Sequence, residues 1–454
     1  MSEERGTDQT LLQLSTPLLL SALIGMVAML VDTMMISAYS ENAAAAVSIA
    51  NQILLVAFDL SAFFAAGAVV LISRSLGAKR EIEARRFAET AMVGNALIGL
   101  VLGFVLFLGA PWWIQAINCP PEAAEGAEIY LRVGGFTIFF NGIMIAGTAT
   151  LRAYGRTRIL LWLGLLAYGG YLPFAYLLIF GIGPFPELGV EGSALATLFV
   201  RAIAVVLLII VFARTLKIRP HFWKRSWSSS CQRLRQMFTL IWPGALDNLA
   251  YGFYQIILVS FIAGISVVMV LSRTFTLALN NFLTVLLMSI SQANEVMVGY
   301  RYGAKKWKSV SRCIVHSSIV ATIITIVAAS FLYFGREPLL SLFTKQKEVI
   351  ELAGELLLIT IFVQPFSAVN TILYYSLKAV GDVVVPVVGT QIMMWGLSVP
   401  VAYFLVVEAG FGVSGLWYVL LAEEALKALF LVWRWRTYGW GESEAEDRGD
   451  IGVA

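Results

Sequence analysis

The sequence predicts an all-α polytopic membrane protein, with twelve transmembrane helices forming two pseudo-symmetric six-helix bundles around a central cleft. Composition, the number of long apolar runs and an internal repeat all point there. Of 454 residues, 59% are apolar and 13% charged, and the mean hydropathy is +0.80. A soluble domain carries about 25% charged residues, so this set lacks the charge to cover a water-facing surface. A soluble enzyme, a disordered chain and a nucleic-acid binder are excluded. The net charge of +3 offers no excess for a polyanion.

Apolar runs lie near 11–38, 47–72, 87–110, 127–151, 159–182, 188–213, 237–263, 267–299, 313–335, 347–377, 384–408 and 412–435. Each can supply the roughly 20 residues that a spanning helix needs, and none alternates like a barrel strand. The polar start, 1–10, lacks the basic region and cleavage site of a signal peptide, so run 11–38 is expected to stay as the first span. Loops after the even-numbered spans hold 21 Lys and Arg, and loops after the odd spans hold Arg336, Lys345 and Lys347. By the positive-inside rule, both termini are expected in the cytoplasm of a multi-pass protein of the plasma (inner) membrane. Cys119, Cys231 and Cys313 are too scattered for a disulfide framework or zinc site, and His221 and His316 are too few for a metal cluster. No metal or cofactor is expected.

The two halves repeat each other. Pro17 in span 1 and Pro243 in span 7 stand 226 residues apart. The same offset relates Gly77-Ala78-Lys79 to Gly303-Ala304-Lys305, and Leu151-Arg152-Ala153-Tyr154-Gly155 to Leu377-Lys378-Ala379-Val380-Gly381. Gly189-Val190-Glu191-Gly192 and Gly412-Val413-Ser414-Gly415 stand 223 apart. Four ordered matches at a near-constant offset imply two homologous six-helix halves. Six is even, so the halves share one orientation, about a pseudo-two-fold axis along the membrane normal. The expected organisation is an N-terminal lobe (1–213), a basic cytoplasmic connector (214–236), a C-terminal lobe (237–435) and a cytoplasmic tail (436–454). Duplicated bundles of this kind recur in secondary transporters that rock about a midplane site.

The ordered motifs resemble the multidrug and toxic compound extrusion (MATE) family, within the multidrug/oligosaccharidyl-lipid/polysaccharide exporter superfamily. The resemblance rests on Val31-Asp32-Thr33 after the span-1 proline, both Gly-Ala-Lys turns, Leu151 to Thr157, Gly189 to Thr197, and Leu377 to Asp382 with Pro386. It implies antiport: export of organic cations or amphipathic compounds in exchange for H+ or Na+, with Asp32 and Thr197 at the ion-coupling site. The chain also departs from many relatives. Tyr171 and Ala175 stand where span 5 has an Asn and an Asp, Tyr251 stands where span 7 has a Glu, and Ser367 stands near an acid of span 10.

A charge at mid-bilayer costs about 2.5–3.5 kcal/mol on insertion scales, so ionisable residues inside spans are functional candidates. Asp32 is the expected ion-coupling carboxylate. Asp59, Asp247, Tyr251, Gln255, Asn280, Asn281 and Arg273 are candidates for the substrate cleft, Asp59 also as a partner for Arg273. Carrying the 223 offset from Arg201 reaches Glu424, a candidate gating pair of opposite charge. The rival reading of Glu423, Glu424 and Lys427 is a local i, i+4 pairing within one helix.

Gly77 and Gly303 suit the tight loop turns, and Pro173, Pro365 and Pro400 are candidate kinks. Trp112, Trp113, Trp223, Trp227, Trp433, Trp435 and Trp440 fit an interfacial belt. No Walker A segment, HExxH or Gly-rich nucleotide loop is present, so an enzyme or a self-contained ATP-driven pump is not expected. The leading expectation is a monomeric antiporter of a cationic or amphipathic small molecule, in contact with membrane lipid and not with nucleic acid. The alternative is a flippase or exporter of a lipid-linked precursor or specialised metabolite.

Overall fold

The computed structural model describes residues 9–117, 119–216 and 227–438. Residues 217–226 of the connector expected at 214–236, which include His221 and Trp223, and the tail beyond Tyr438, with Trp440, lie outside the described residues. There is no strand among the described residues. The helices are α1 (Leu11–Tyr39), α2 (Glu41–Ser61), α3 (Phe63–Gly77), α4 (Glu81–Ala116), α5 (Pro121–Ala153), α6 (Thr157–Phe180) and α7 (Gly189–Val211). They continue with α8 (Trp227–Ala263), α9 (Val267–Gly303), α10 (Trp307–Phe334), the short α11 (Arg336–Ser341), α12 (Lys347–Val380), α13 (Val384–Ile392), α14 (Val399–Tyr403) and α15 (Gly412–Thr437). Among the described residues eleven segments are long and apolar enough to cross a membrane. At the expected twelfth span stands α15, 26 residues with Glu423, Glu424 and Lys427 in the middle.

Two spans are interrupted, one unexpectedly and one around the candidate kink Pro400. Span 2 is broken at Ala62, between α2 and α3. Ala62 keeps backbone bonds to the carbonyls of Phe58 and Asp59. The break would strand the Phe64 N–H, and Asn95 Oδ1 of α4 accepts it at 2.9 Å. A backbone donor in hydrocarbon must find such a partner. Span 11 relaxes into π-helical turns at Met393–Ser398 and Phe404–Glu408, on either side of α14 and Pro400. Pro17, Pro173 and Pro365 lie inside continuous helices.

The duplication is visible in the backbone. Three pairs of residues with left-handed φ match at the sequence offsets: Lys79 (58°) with Lys305 (57°), Gly155 (67°) with Gly381 (87°), and Gly189 (52°) with Gly412 (56°). In the Gly-Ala-Lys turns the left-handed residue is the lysine. Gly77 and Gly303 are the last residues of α3 and α9, and the chain reverses two residues later. A lysine there costs about 1–2 kcal/mol.

The chain forms two compact units. One, the first lobe, is Thr16–Ile241; the other, the second lobe, runs from Trp242 and includes the start of the chain up to Ser15. In the first lobe α4 lies along α5, which also meets α2, α3 and α7, while α6 packs on α7. The α4–α5 approach depends on glycine. A Cβ on Gly103 would stand 2.5 Å from the Gly135 carbonyl oxygen, and one on Gly142 would stand 2.4 Å from that of Asn95. Small residues let membrane helices touch backbone to backbone.

In the second lobe α12 is central, against α9, α10 and α15. Polar pairs hold it there. Asn294 Nδ2 donates to Ser376 Oγ at 2.8 Å, and Trp417 Nε1 donates to Thr360 Oγ1 at 3.0 Å. Lys378 Nζ lies 3.0 Å from the fully buried Glu295.

Gly135→Val should force α4 and α5 apart and destabilise the protein by about 1–3 kcal/mol, read as a lowered Tm in detergent. Gly170→Ala meets nothing within 4 Å and should leave the Tm unchanged or slightly raised.

Candidate functional site

In the first lobe, α1, α6 and α7 bring three polar side chains together. The Tyr171 hydroxyl of α6 donates to Asp32 Oδ1 of α1 at 2.6 Å. The Tyr171 oxygen is also 3.4 Å from Ser193 Oγ of α7. A phenol has one proton, and Tyr171 gives it to the carboxylate, so Ser193 is the donor in the second contact. Ser193 is fully buried, while Asp32 is half-buried. Thr197 Oγ1 donates to the Ser193 carbonyl at 3.1 Å, so Thr197 reaches Asp32's surroundings through Ser193. Thr33 is exposed and turns away, its hydroxyl on the Met29 carbonyl at 2.9 Å.

A second polar chain in this lobe ends at the helix break. Arg201 of α7 donates to Asn141 Oδ1 of α5 at 2.7 Å. Asn141 Nδ2 donates to Ser61 Oγ at 3.1 Å, and Ser61 Oγ donates to the Phe58 carbonyl at 2.8 Å. The Arg201 guanidinium lies 4.6 Å from the Phe58 ring centroid, within cation–π range. Asp59 is exposed on α2, beside exposed Leu55, Val56 and Leu60.

The second lobe holds its ionisable groups differently. Tyr254 of α8 donates to Glu423 Oε2 of α15 at 2.5 Å, and Lys427 pairs with the other oxygen of Glu423. Lys427 Nζ also lies 3.7 Å from Glu424, whose Oε2 accepts from Asn370 Nδ2 at 3.0 Å. Within their own lobes, then, the two candidate gating residues are each held by an asparagine, Arg201 by Asn141 and Glu424 by Asn370. Arg273 donates to Gln255 Oε1 at 2.5 Å, and Gln255 Nε2 donates to the Tyr251 hydroxyl at 2.5 Å. Asp247 Oδ1 accepts from Gln391 Nε2 at 2.6 Å, and Gln391 Oε1 accepts from Trp395 Nε1 at 3.0 Å. Asn280 Nδ2 reaches Thr360 Oγ1 at 3.5 Å, and Asn281 is exposed.

Sequence reasoning treated Tyr171 as a departure from relatives and missed it as Asp32's partner. The signal was the departure itself, since a hydroxyl donor occupies a place where an amide is usual. Glu295 was overlooked as an acid inside span 8, although Gln292 and Asn294 beside it marked a polar stretch. Gln391 and Ser193 carried no signal, because isolated polar residues in spans serve helix packing as readily as function.

The Glu423–Lys427 pair gives a stability test. Lys427→Met leaves the buried Glu423 carboxylate and the half-buried Glu424 without their cation and should cost about 3–5 kcal/mol. Lys427→Met with Glu423→Gln should recover most of that loss. Thermal or denaturant unfolding of the four proteins of the cycle measures both.

Comparison with known proteins identifies the lineage. The MatE family model matches residues 17–177 and 243–404, one copy in each half, starting at the two repeat prolines. The uncharacterized transporter YisQ of Bacillus subtilis is 28% identical over 413 residues, covering 90% of each chain. The probable multidrug resistance protein NorM of Thermotoga maritima is 25% identical over 434 residues, covering 93% of this chain and 91% of its own. The Vibrio cholerae MATE transporter VcmN in its bent form shares the fold at TM-score 0.86 and 17% identity, covering 96% of this chain and 97% of its own. An outward-facing MATE transporter of the MOP superfamily matches at TM-score 0.85 and 18% identity, over 96% of this chain and 98% of its own. Two repeat-matched segments, each aligned to the same family model, place this chain in the MatE family of multidrug transporters, membrane proteins that move small molecules and are not enzymes.

Proposed function

We propose that the protein is a secondary antiporter that exports organic cations or amphipathic compounds in exchange for protons, by alternating access. The observation that carries this reading is the hydrogen bond from Tyr171 to Asp32, with Ser193 behind it. A carboxyl group can accept this hydroxyl whether it is ionised or protonated. A proton can therefore arrive and leave without dismantling the site. Proton binding removes a charge that is expensive within a membrane, so the two protonation states favour different arrangements of α1. A sodium ion asks for several oxygen ligands at once. Around Asp32 the adjoining groups are neutral hydroxyls, and one of them is already committed as a donor to the carboxylate.

The orientation inferred from Lys and Arg places both termini in the cytoplasm of the plasma membrane. One chain contains both lobes, so a monomer suffices for transport. Arg201 at the Ser61–Ala62 break, and Glu424 beside Lys427, are the groups we assign to holding and releasing the lobes' polar interiors during the cycle. Asp59, Tyr251, Gln255, Arg273, Asn280 and Asn281 remain the side chains we assign to contact with cargo.

The reading is tested by efflux of a fluorescent organic cation from proteoliposomes, under an imposed pH gradient and separately under a sodium gradient. The pH gradient should drive efflux from wild type, and Asp32→Asn should fall to background while folding normally. Tyr171→Phe should retain transport at a reduced rate. Transport driven only by sodium would refute proton coupling. Transport under neither gradient, or Asp32→Asn running at the wild-type rate, would refute the role given to Asp32.

A further inference from the structure

We propose that the second lobe carries its own binding site for an amphipathic organic cation, in a cavity between α8 and the α13 half of span 11, with Asp247 as the anion that selects the charge. The inference deepens the export reading and rests on it only for the direction in which the bound cation then moves.

The cavity has a volume of about 560 Å³. Small-molecule sites measure about 300–1,000 Å³. Its walls are apolar, from Leu246 and Ala250 on α8 to Val387, Val388 and Ile392 on α13, with Trp242 and Trp395 at its margins. Among the lining residues Asp247 is the one ionisable group. Gln391 donates to its carboxylate at 2.6 Å and accepts from Trp395 Nε1 at 3.0 Å. That chain holds the carboxylate and the Trp395 indole beside the same space. Gln391 is neutral and so is Tyr374, the other side chain bonded to Asp247. The acid is therefore positioned without being neutralised. Lys427 is near enough to be felt electrostatically, but its ammonium is engaged by Glu423 and Glu424.

These features decide the occupant. The first lobe has a groove of about 290 Å³ between α6 and α7, lined by Leu163, Leu166, Phe174, Phe199, Ile203 and other apolar residues. A lipid chain satisfies such a groove. In the second lobe a lipid chain would leave a carboxylate facing hydrocarbon, which is costly. A small inorganic cation would pair with Asp247 but leave the apolar walls unfilled. An organic cation with an apolar body meets both, with Trp242 and Trp395 among the side chains lining the space.

The cavity is not a by-product of the duplication. The 226 offset places Ser21 where Asp247 stands, so the first lobe has no matching acid. The π-helical turn at Met393–Ser398, which carries Trp395 and Gly396, lies against the cavity, and such turns are common where helices bind ligands. Both walls belong to the halves of spans 7 and 11 nearest the basic loops. By the positive-inside rule that half faces the cytoplasm, where a membrane-partitioned cation would be collected before export.

Binding can be tested without a gradient, and so apart from transport. Tetraphenylphosphonium is titrated into the full-length protein in nanodiscs of neutral phosphatidylcholine, and its Kd is measured by equilibrium dialysis. Asp247→Asn keeps the shape and should weaken binding about tenfold or more. Val388→Trp fills the space and should abolish binding to this site. Asp32→Asn should bind as wild type does. Unchanged affinity in both Asp247→Asn and Val388→Trp would overturn the proposal. So would an equal loss in Asp32→Asn, which would mean one site shared with the coupling carboxylate. Intact Asp247-dependent binding with no gradient-driven transport would instead refute the antiport reading and leave this site standing.

Discussion

Hydrocarbon accepts no hydrogen bond and screens no charge, and the interior of this protein is organised by that constraint. Buried polar groups must meet one another across helices, and the helices must approach closely enough for them to do so. In the first lobe, glycines supply the approach at the α4–α5 contact. Asn95 on α4 then reaches the break in span 2 and takes the exposed Phe64 amide. From the other side, Arg201 reaches the same break through Asn141 and Ser61. A helix interruption that lipid would not tolerate is thus enclosed by three side chains.

The halves keep the backbone of a common ancestor and have diverged in chemistry. Matched left-handed residues at Lys79 and Lys305, Gly155 and Gly381, and Gly189 and Gly412 show the conserved turns. The polar interiors do not match. In each lobe an ionisable residue of the sixth span bonds an asparagine of the fourth, but the charge is inverted. Arg201 donates to Asn141, whereas Glu424 accepts from Asn370. An amide can serve either role because it carries both a donor and an acceptor. The proline-anchored repeat places Leu258 opposite Asp32 and Ser21 opposite Asp247. One fold repeated twice therefore offers two different acids in two different settings.

Those settings suit different tasks. Asp32 accepts from the Tyr171 hydroxyl, with Ser193 behind it, and is in no ion pair among the described residues. Glu423 is locked between Tyr254 and Lys427 and is almost fully buried. An ion pair of that kind is expensive to break and contributes more to fixing one arrangement than to net stability. Asp247 stands between these extremes, held by neutral donors next to open space. The irregular helix segments, at Ala62 and at Met393–Ser398, adjoin polar groups in both lobes, and they are where a span bends at least cost.

Much of the fold was legible because it follows from one-dimensional signals. Long apolar runs predict long helices, and an offset of 226 residues predicts two like halves. The Glu423–Lys427 pair of α15 was legible from its i, i+4 spacing. Asp32 stood out in the sequence as a lone acid in an apolar helix. Its partners did not, since Tyr171 and Ser193 stand 139 and 161 residues further along, and no spacing rule links three helices. The same holds for Gln391 with Asp247, 144 residues apart. The break at Ala62 was also hidden, because its neighbours are ordinary helix formers and only the tertiary contacts of Asn95, Asn141 and Arg201 stabilise it. The sequence by itself determined which segments are long apolar helices and that they fall into two like halves. Only the tertiary structure decided which group meets which, because the geometry of packed helices, not their order, sets those distances.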